Sequence, residues 1–245
     1  MKSFEKPGIS GFTLKVIAIL SMLIDHTGAA VVEKAILKLP SVTGNADLLA
    51  FWTRTDQVMR AIGRIAFPIF CFLLVEGFIY TRDVKKYAGR LLLFALLSEF
   101  PFDLALKQGV FAPRSQNVYF TLFFGLLAMA AAAWCEQHKK NWLSAFAFLA
   151  AMGLAWLLKT DYSYKGILLI AVLFVFRFDR FLQCAGGAAA ISWELTAPLA
   201  FLPIWFYNGK RGSCSLKYFF YAFYPVHLLI LWGVKTFLLP ILISV

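Results

Sequence analysis

FTLKVIAILSMLIDHTGAAVV, residues 12–32, is the stretch on which the fold turns. As an α-helix rising 1.5 Å per residue, these residues span about 30 Å, the thickness of a bilayer's hydrocarbon core. Seven further stretches come near that length: 61–80, 88–106, 117–135, 142–158, 162–178, 181–206 and 218–243. The chain of 245 residues therefore reads as an all-α, polytopic transmembrane helix bundle of about eight spans, seven to nine being possible, in a single unit over 1–245. Its composition agrees. Hydrophobic residues make up 61% and charged residues 15%, whereas soluble domains hold roughly 45 to 50% apolar residues. A soluble globule and a disordered chain are both excluded. The net charge of +11, on so apolar a chain, reflects loops facing anionic lipid or a polyanionic substrate rather than nucleic acid.

Eight crossings would place both termini on one face and the 208–212 turn on the other. The weak members are 162–178, which is short, and 181–206, broken by Gly186, Gly187, Glu194, Pro198 and Pro203, which could instead be a re-entrant pair. Lysines and arginines outside the spans divide ten against eleven between the faces on the eight-span reading. The positive-inside rule does not decide from that count, and the dense run from Arg82 to Arg90 is the ground for a cytoplasmic N-terminus. Lys2, Lys6 and Lys15 ahead of Val16 to Ile24 also resemble a cleaved signal peptide, but a signal core rarely carries a pair such as Asp25-His26. Cys71, Cys135, Cys184 and Cys214 are widely spaced, without CxxC or histidines at ligand spacing, so neither a metal site nor a disulfide framework is expected.

Ionisable groups inside spans cost roughly 2.5 to 3.5 kcal/mol each, so each needs a partner, a water-filled cavity or a chemical task. Lys15 and His26 lie eleven residues apart, three turns plus about 20°, and share one helix face about 16 Å apart along the axis. A ligand with an anionic head and a long arm fits that ruler, with His26 as the base at its tip. The plainer reading has Lys15 snorkelling to lipid phosphate and His26 satisfying a neighbouring helix. Asp25 projects about 100° away from His26 and is placed to pair with Arg64. Glu99 and Asp103, four residues apart around Pro101, and Asn117 and Thr121, again four apart, face the same outer half. These four, with Arg64, are candidates to hold an acceptor substrate, or else to pair with Arg64 and hydrogen-bond between helices.

His227 follows Tyr218, Tyr221, Tyr224 and Pro225 and is expected about ten residues in from the face opposite the N-terminus. Two histidines would then converge from the first and last helices. Glu76 is expected to pair with Lys15 or Arg90, Glu194 and Lys235 have no assigned partner, and His138 beside Lys139 and Lys140 reads as solvated. Arg82, Lys85, Lys86 and Arg90 form a cluster suited to nucleotide phosphates or to anionic lipid. The turn NGKRG, residues 208–212, could present backbone N–H groups to an anion, but without GxxxxGK[ST] nothing supports an NTPase.

The runs LKVIAILSMLIDHTG, RIAFPIFCFLLVEGF, YAGRLLLFALLSEFPFDLAL, NVYFTLFFGLLA, PLAFLPIWFYNGKRG and KYFFYAFYPVHLLIL, in that order from about residue 12 to 235, resemble the TraX family, named for a conjugative-plasmid protein that acetylates a pilin N-terminus. The Lys15-x10-His26 spacing and YPVHL are also similar to motifs of the membrane acyltransferase type 3 group. The resemblance implies a multi-pass protein of the bacterial inner membrane that moves acetyl groups from cytoplasmic acetyl-CoA to an acceptor at or beyond the outer face. That acceptor would be a pilin-like peptide amine or a carbohydrate. Lys15, the Arg82 to Arg90 cluster, Lys210 and Arg211 would hold the donor. His26 would be the general base, Asp25 or another carboxylate would fix its tautomer, and His227 or Tyr224 would stabilise an oxyanion. A proton-coupled secondary transporter and a non-enzymatic factor in a conjugation or secretion apparatus are the competing readings.

Overall fold

The computed structural model describes residues 8–107, 109, 115–212 and 216–243, and these residues form helices and no strands. Helix α1 (Gly11–Thr27) starts where the Ser10 side chain accepts from the Thr13 amide. It runs on as a π-helix (Gly28–Glu33) and then a short 3₁₀ turn (Ile36–Lys38). After α2 (Pro40–Thr43) come α3 (Ala46–Gly63), α4 (Ala66–Tyr80) and α5 (Val84–Phe102), which also widens into a π-helix at Asp103–Lys107. Next are α6 (Val118–Gln137), α7 (Asn141–Leu157), α8 (Ser163–Val175) and α9 (Arg180–Ala190). A 3₁₀ turn (Ala197–Ala200) leads to α10 (Phe201–Trp205). Last come α11 (Lys217–Gly233), its π-helical continuation (Val234–Leu238) and α12 (Leu239–Ile243).

Four helical runs are long and apolar enough to cross a membrane: Gly11–Lys38, Ala46–Tyr80, Val118–Gln137 and Tyr218–Ile241. That is fewer than the expected eight on length and composition alone, since α7 and α8 are apolar but shorter and α5 opens with Lys85, Lys86 and Arg90. The core forms where Ile69 and Phe72 of α4, Leu126 and Met129 of α6, and Ile170 and Leu173 of α8 are withdrawn from the surface.

The structure corrects the sequence reading in two places. First, residues 46–60, which lie outside the apolar stretches, are helical and continue into the 61–80 span. Asn45 caps α3 by accepting from the amides of Asp47 and Leu48, the role its side chain favours. Asp47, Arg54, Asp56 and Arg60 lower the hydropathy of this helix and hide it from a search for apolar runs.

Second, the stretch 181–206 folds back on itself. Helix α9 leaves the N-terminal face, the tip at 191–196 reaches the α3–α4 junction through Thr196 Oγ1 to Ala61 O (2.6 Å), and α10 returns. Phe181 and Trp205 pack together at the open end, 6.4 Å apart. Helix α11 therefore starts on the N-terminal face and lies parallel to α1: Phe12 contacts Phe220 near their beginnings, and His26 meets His227 further along. The turn at 208–212 is strapped to the start of α1, with the Gly11 amide donating to Lys210 O (2.8 Å) and the Phe12 amide to Arg211 O (3.0 Å). Placing it on the opposite face is incorrect. Moving Lys210, Arg211 and Lys217 across turns ten against eleven into thirteen against eight.

Candidate functional site

Helix α11 contains Pro225, which has no N–H to offer the carbonyl four residues earlier. The Tyr119 hydroxyl donates to that carbonyl, Tyr221 O, at 3.0 Å, and this fastens α6 to α11 nearly two turns before His227. The His227 ring is then set by its own helix, with Nδ1 2.7 Å from Phe223 O. A carbonyl only accepts, so Nδ1 carries the proton, and in a neutral ring Nε2 is left as an acceptor. His26 Nδ1 lies 2.6 Å from that Nε2, and the two rings are parallel within 3°. His26 Nδ1 must therefore donate, which leaves the lone pair of a neutral His26 on Nε2. His227 is 4% exposed, so water does not compete for this arrangement.

His26 lines a cavity of about 260 Å³ near the distal end of the bundle. Met22, Ala66, Phe67, Phe70 and Phe102 supply apolar wall, and Tyr224 stands beside the imidazole, ring centroids 5.7 Å apart. The first amide of α6, Val118, lies near the Tyr224 hydroxyl. Charged groups complete the lining: Asp25, Glu33, Lys34, Arg60, Arg64, Lys107 and Asp161. Asp161 belongs to the loop joining α7 to α8. Burial pushes its carboxyl above the ordinary range, while Lys107, Arg64 and Arg60 pull the other way.

The ion pairs differ from those expected. Asp25 pairs with Arg60 at 2.7 Å, not with Arg64, because α3 continues α4 backwards and brings the residue one turn before Arg64 against α1. Arg64 instead reaches Glu194 at the tip of the re-entrant pair, 3.2 Å. Asp25 fits there because residue 63 is glycine: a Cβ at that position would stand 2.1 Å from Asp25 Cβ. Glu76 takes a hydrogen bond from Tyr207 and faces Arg180, rather than Lys15 or Arg90.

Of the residues singled out in the sequence, His26, Asp25, Arg64 and Tyr224 line the cavity, with His227 directly behind His26. Asn117, Thr121, Glu99 and Asp103 do not line it. Asn117 caps α6 through Tyr119 N and clamps α5 through Ala95 O (2.7 Å) and Glu99 Oε1 (2.5 Å). Its donors are spent in the helix pair, so it is a structural clamp. Thr121 bonds Thr160 Oγ1 (2.9 Å) and Asp161 O. Arg60, Asp161, Tyr162, Lys34 and Lys107 are cavity residues that sequence reasoning missed. For Arg60 a signal existed, since Asp56, Arg60 and Arg64 recur every four residues and so share a helix face.

The cationic candidates gather on the N-terminal face. Lys15 Nζ lies 5.4 Å from the centre of the Phe220 ring, and Arg90 hydrogen-bonds the next residue, Tyr221. Arg211 is close enough to Lys15 for their charges to repel. Arg82, Lys85 and Lys86 are exposed on the turn into α5, where Lys86 N and Nζ are engaged with the capping carboxylate of Asp83. The NGKRG carbonyls bind α1, and the Lys210 amide donates to Asn208 Oδ1 (2.9 Å), so the turn offers an anion its side chains more than its backbone.

No solved structure matches this chain. The probable fimbrial assembly protein FimC, serogroup H1, of Dichelobacter nodosus is 31% identical, the match covering 94% of this chain and 97% of that protein. A profile described as TraX protein matches residues 10–235, and with nearly the whole length accounted for in this way the chain belongs to the TraX family.

Proposed function

We propose that this protein is an integral inner-membrane acetyltransferase that uses acetyl-CoA on the N-terminal, cytoplasmic face and an acceptor amine or hydroxyl entering from the distal face. The observation that carries this reading is the hydrogen-bonded series Phe223 O, His227, His26, which leaves His26 Nε2 unprotonated at a cavity. Such a group is a general base, and one placed within reach of a nucleophile's proton contributes about 10² to 10⁴ in rate. Thirteen cations against eight favour a cytoplasmic N-terminal face. Seven crossings, with α9 and α10 as a re-entrant pair, account for the directions of the helices. Membership of the TraX family and the fimbrial assembly relative favour a pilin-like peptide as acceptor, another envelope peptide or a sugar being the alternatives.

The residues present suit the donor. Lys15, Arg90 and Arg211 converge around Phe220 and Tyr221, with Lys210 on the same turn as Arg211, and would hold an anionic head. Eleven residues of helix from Lys15 to His26 span about 16 Å, room for a long arm. Acetyl-CoA, when bound, supplies an acyl group activated as a thioester. His26 Nε2 takes the proton of the attacking nucleophile and returns it to the leaving sulfur. His227 holds the His26 ring and its tautomer, a task assigned to Asp25 on sequence grounds, while Asp25 is occupied by Arg60. Tyr224, beside His26 on the cavity wall, would donate its hydroxyl proton to the developing oxyanion.

The test is thiol release from acetyl-CoA by purified protein in detergent with a short peptide bearing a free N-terminus. His26→Ala should reduce turnover at least about 100-fold. Undiminished turnover in that variant would remove His26 from the mechanism. Proton-driven solute uptake into liposomes, without any use of acetyl-CoA, would replace the enzyme with a transporter.

A further inference from the structure

Three carboxylates line the cavity: Asp25 is paired with Arg60 through Oδ2, its Oδ1 being buried without a partner, and Glu33 is exposed at the rim. Asp161 is different. Its loop adopts an uncommon backbone, with φ of +52° at Lys159, +61° at Tyr162 and +47° at Ser163, a left-handed region that L side chains rarely occupy. Such conformations persist only where surrounding contacts over-determine them, and here they do. The Gln116 amide donates to Lys159 O (3.1 Å), the Asp161 amide to Gln116 O (2.8 Å), and the buried Thr121 hydroxyl engages Asp161 O. Tyr162 is stacked flat on Phe67, ring centroids 3.6 Å apart. These contacts hold the loop so that Asp161 joins the wall shared with His26 and Tyr224. One carboxylate oxygen accepts the Tyr162 amide at 3.1 Å. Arg60 is paired with Asp25 and Arg64 with Glu194, and Asp161 forms no ion pair within 4 Å among the described residues.

The cavity lining thus includes two groups with acceptor capacity, His26, whose lone pair is on Nε2, and the Asp161 carboxylate. A primary amine has two N–H groups and can satisfy both, whereas a hydroxyl has one O–H and can satisfy only one. Leaving a buried acceptor unmatched is the strongest way a site rejects a near-analogue. We propose that Asp161 is the specificity-determining residue of this cavity, holding one N–H of an acceptor amine while His26 Nε2 takes the other proton. This rests on the acetyl-transfer reading. In the step itself the amine nitrogen bonds to the thioester carbonyl carbon and the carbon–sulfur bond breaks with its electron pair going to sulfur. The proton lost from nitrogen passes through His26 to that sulfur. The second N–H remains on the product amide, still donating to Asp161, which is neither protonated nor consumed.

The full-length protein in detergent is compared with Asp161→Leu and Asp161→Asn, the second retaining a carbonyl acceptor of similar size. Two measurements are made: transfer to a short peptide with a free N-terminus against transfer to a hydroxyl probe of similar size, and binding of the peptide without acetyl-CoA. Asp161→Leu should lower the amine-to-hydroxyl ratio and weaken peptide binding at least about tenfold each, the scale of one unmatched buried hydrogen bond. Asp161→Asn should fall between. An unchanged ratio with unchanged peptide binding in a folded Asp161→Leu protein would overturn the proposal, as would equal loss toward both acceptors. Failure of every form to use acetyl-CoA would refute the enzymatic reading alone, because the binding measurement still decides whether Asp161 recognises an amine.

Discussion

Replacing His227 by leucine removes the acceptor for His26 Nδ1–H while keeping an apolar side chain in a site that is 4% exposed. The 2.6 Å hydrogen bond would have no substitute there, and an unmatched buried donor costs about 1 to 3 kcal/mol. The imidazole escapes that cost by carrying its proton on Nε2, toward the cavity. That tautomer has no lone pair to offer a nucleophile. The active tautomer would therefore be depleted by about 5- to 150-fold, and kcat should fall by that factor with little change in the KM for acetyl-CoA, since Lys15 and Arg211 are far from the substitution. His227→Gln places a carbonyl oxygen near the position of Nε2 and should restore much of the loss. Thiol release at saturating donor and acceptor, measured with both variants, separates the outcomes. Equal activity in His227→Leu and the unmodified protein would refute the argument that the tautomer is set from behind, and equal loss in the leucine and glutamine variants would show that ring packing matters and the hydrogen bond does not.

The parallel arrangement of α1 and α11 is tested by Lys210→Cys in a C214S background, with an impermeant thiol reagent applied to spheroplasts and to inverted vesicles. Labelling should match that of a cysteine placed before Gly8 and oppose that of Ala50→Cys on α3; labelling from the Ala50 face would return the 208–212 turn to the other side and break the re-entrant pair. Gly63→Ala puts a methyl group 2.1 Å from Asp25 Cβ and 2.4 Å from its Oδ1, which must push α1 from the α3–α4 junction. A cost of about 1 to 3 kcal/mol is expected for such overpacking, lowering the melting temperature by several degrees in a thermal unfolding assay, and an unchanged melting temperature would show that the helices are not in register as described.

Much of the site could be read from the sequence, through chemistry rather than through topology. His26 and His227 stood out because an imidazole deep in an apolar run needs a partner, and each turned out to be the other's. The expected route was wrong, with α11 brought in from the opposite face. Nothing in the composition of 181–206 separates one long broken crossing from two short arms, whereas the strap between Gly11 and Lys210 settles it in three dimensions. Asn117 shows where two readings stay open in a sequence. A polar residue ahead of an apolar run satisfies a helix cap and a substrate contact equally well on paper, and only the positions of Ala95 and Glu99 show that its donors are spent. Asp161 left no trace, since its role depends on three left-handed residues held by Gln116, just ahead of α6, and by Thr121 within it.

One feature sits just beyond the histidines. Helices α1, α5 and α11 each widen into a π-helix at their distal ends, at Gly28–Glu33, Asp103–Lys107 and Val234–Leu238. Lys34 grips Leu106 O, and Lys235 grips Leu104 O (3.2 Å) and Ala105 O (3.1 Å). A π-turn is in effect one residue inserted into an α-helix, so each of these ends has a rotational setting that a single deletion would reset by about 100°. Such a deletion after Gly28 would swing Glu33 and Lys34 around the α1 axis and release the α5 carbonyls, while His26, upstream, kept its place. The rim can thus be retuned by gaining or losing single residues without disturbing the base beneath it, so members of the family that differ in acceptor can be expected to differ in length at these three points.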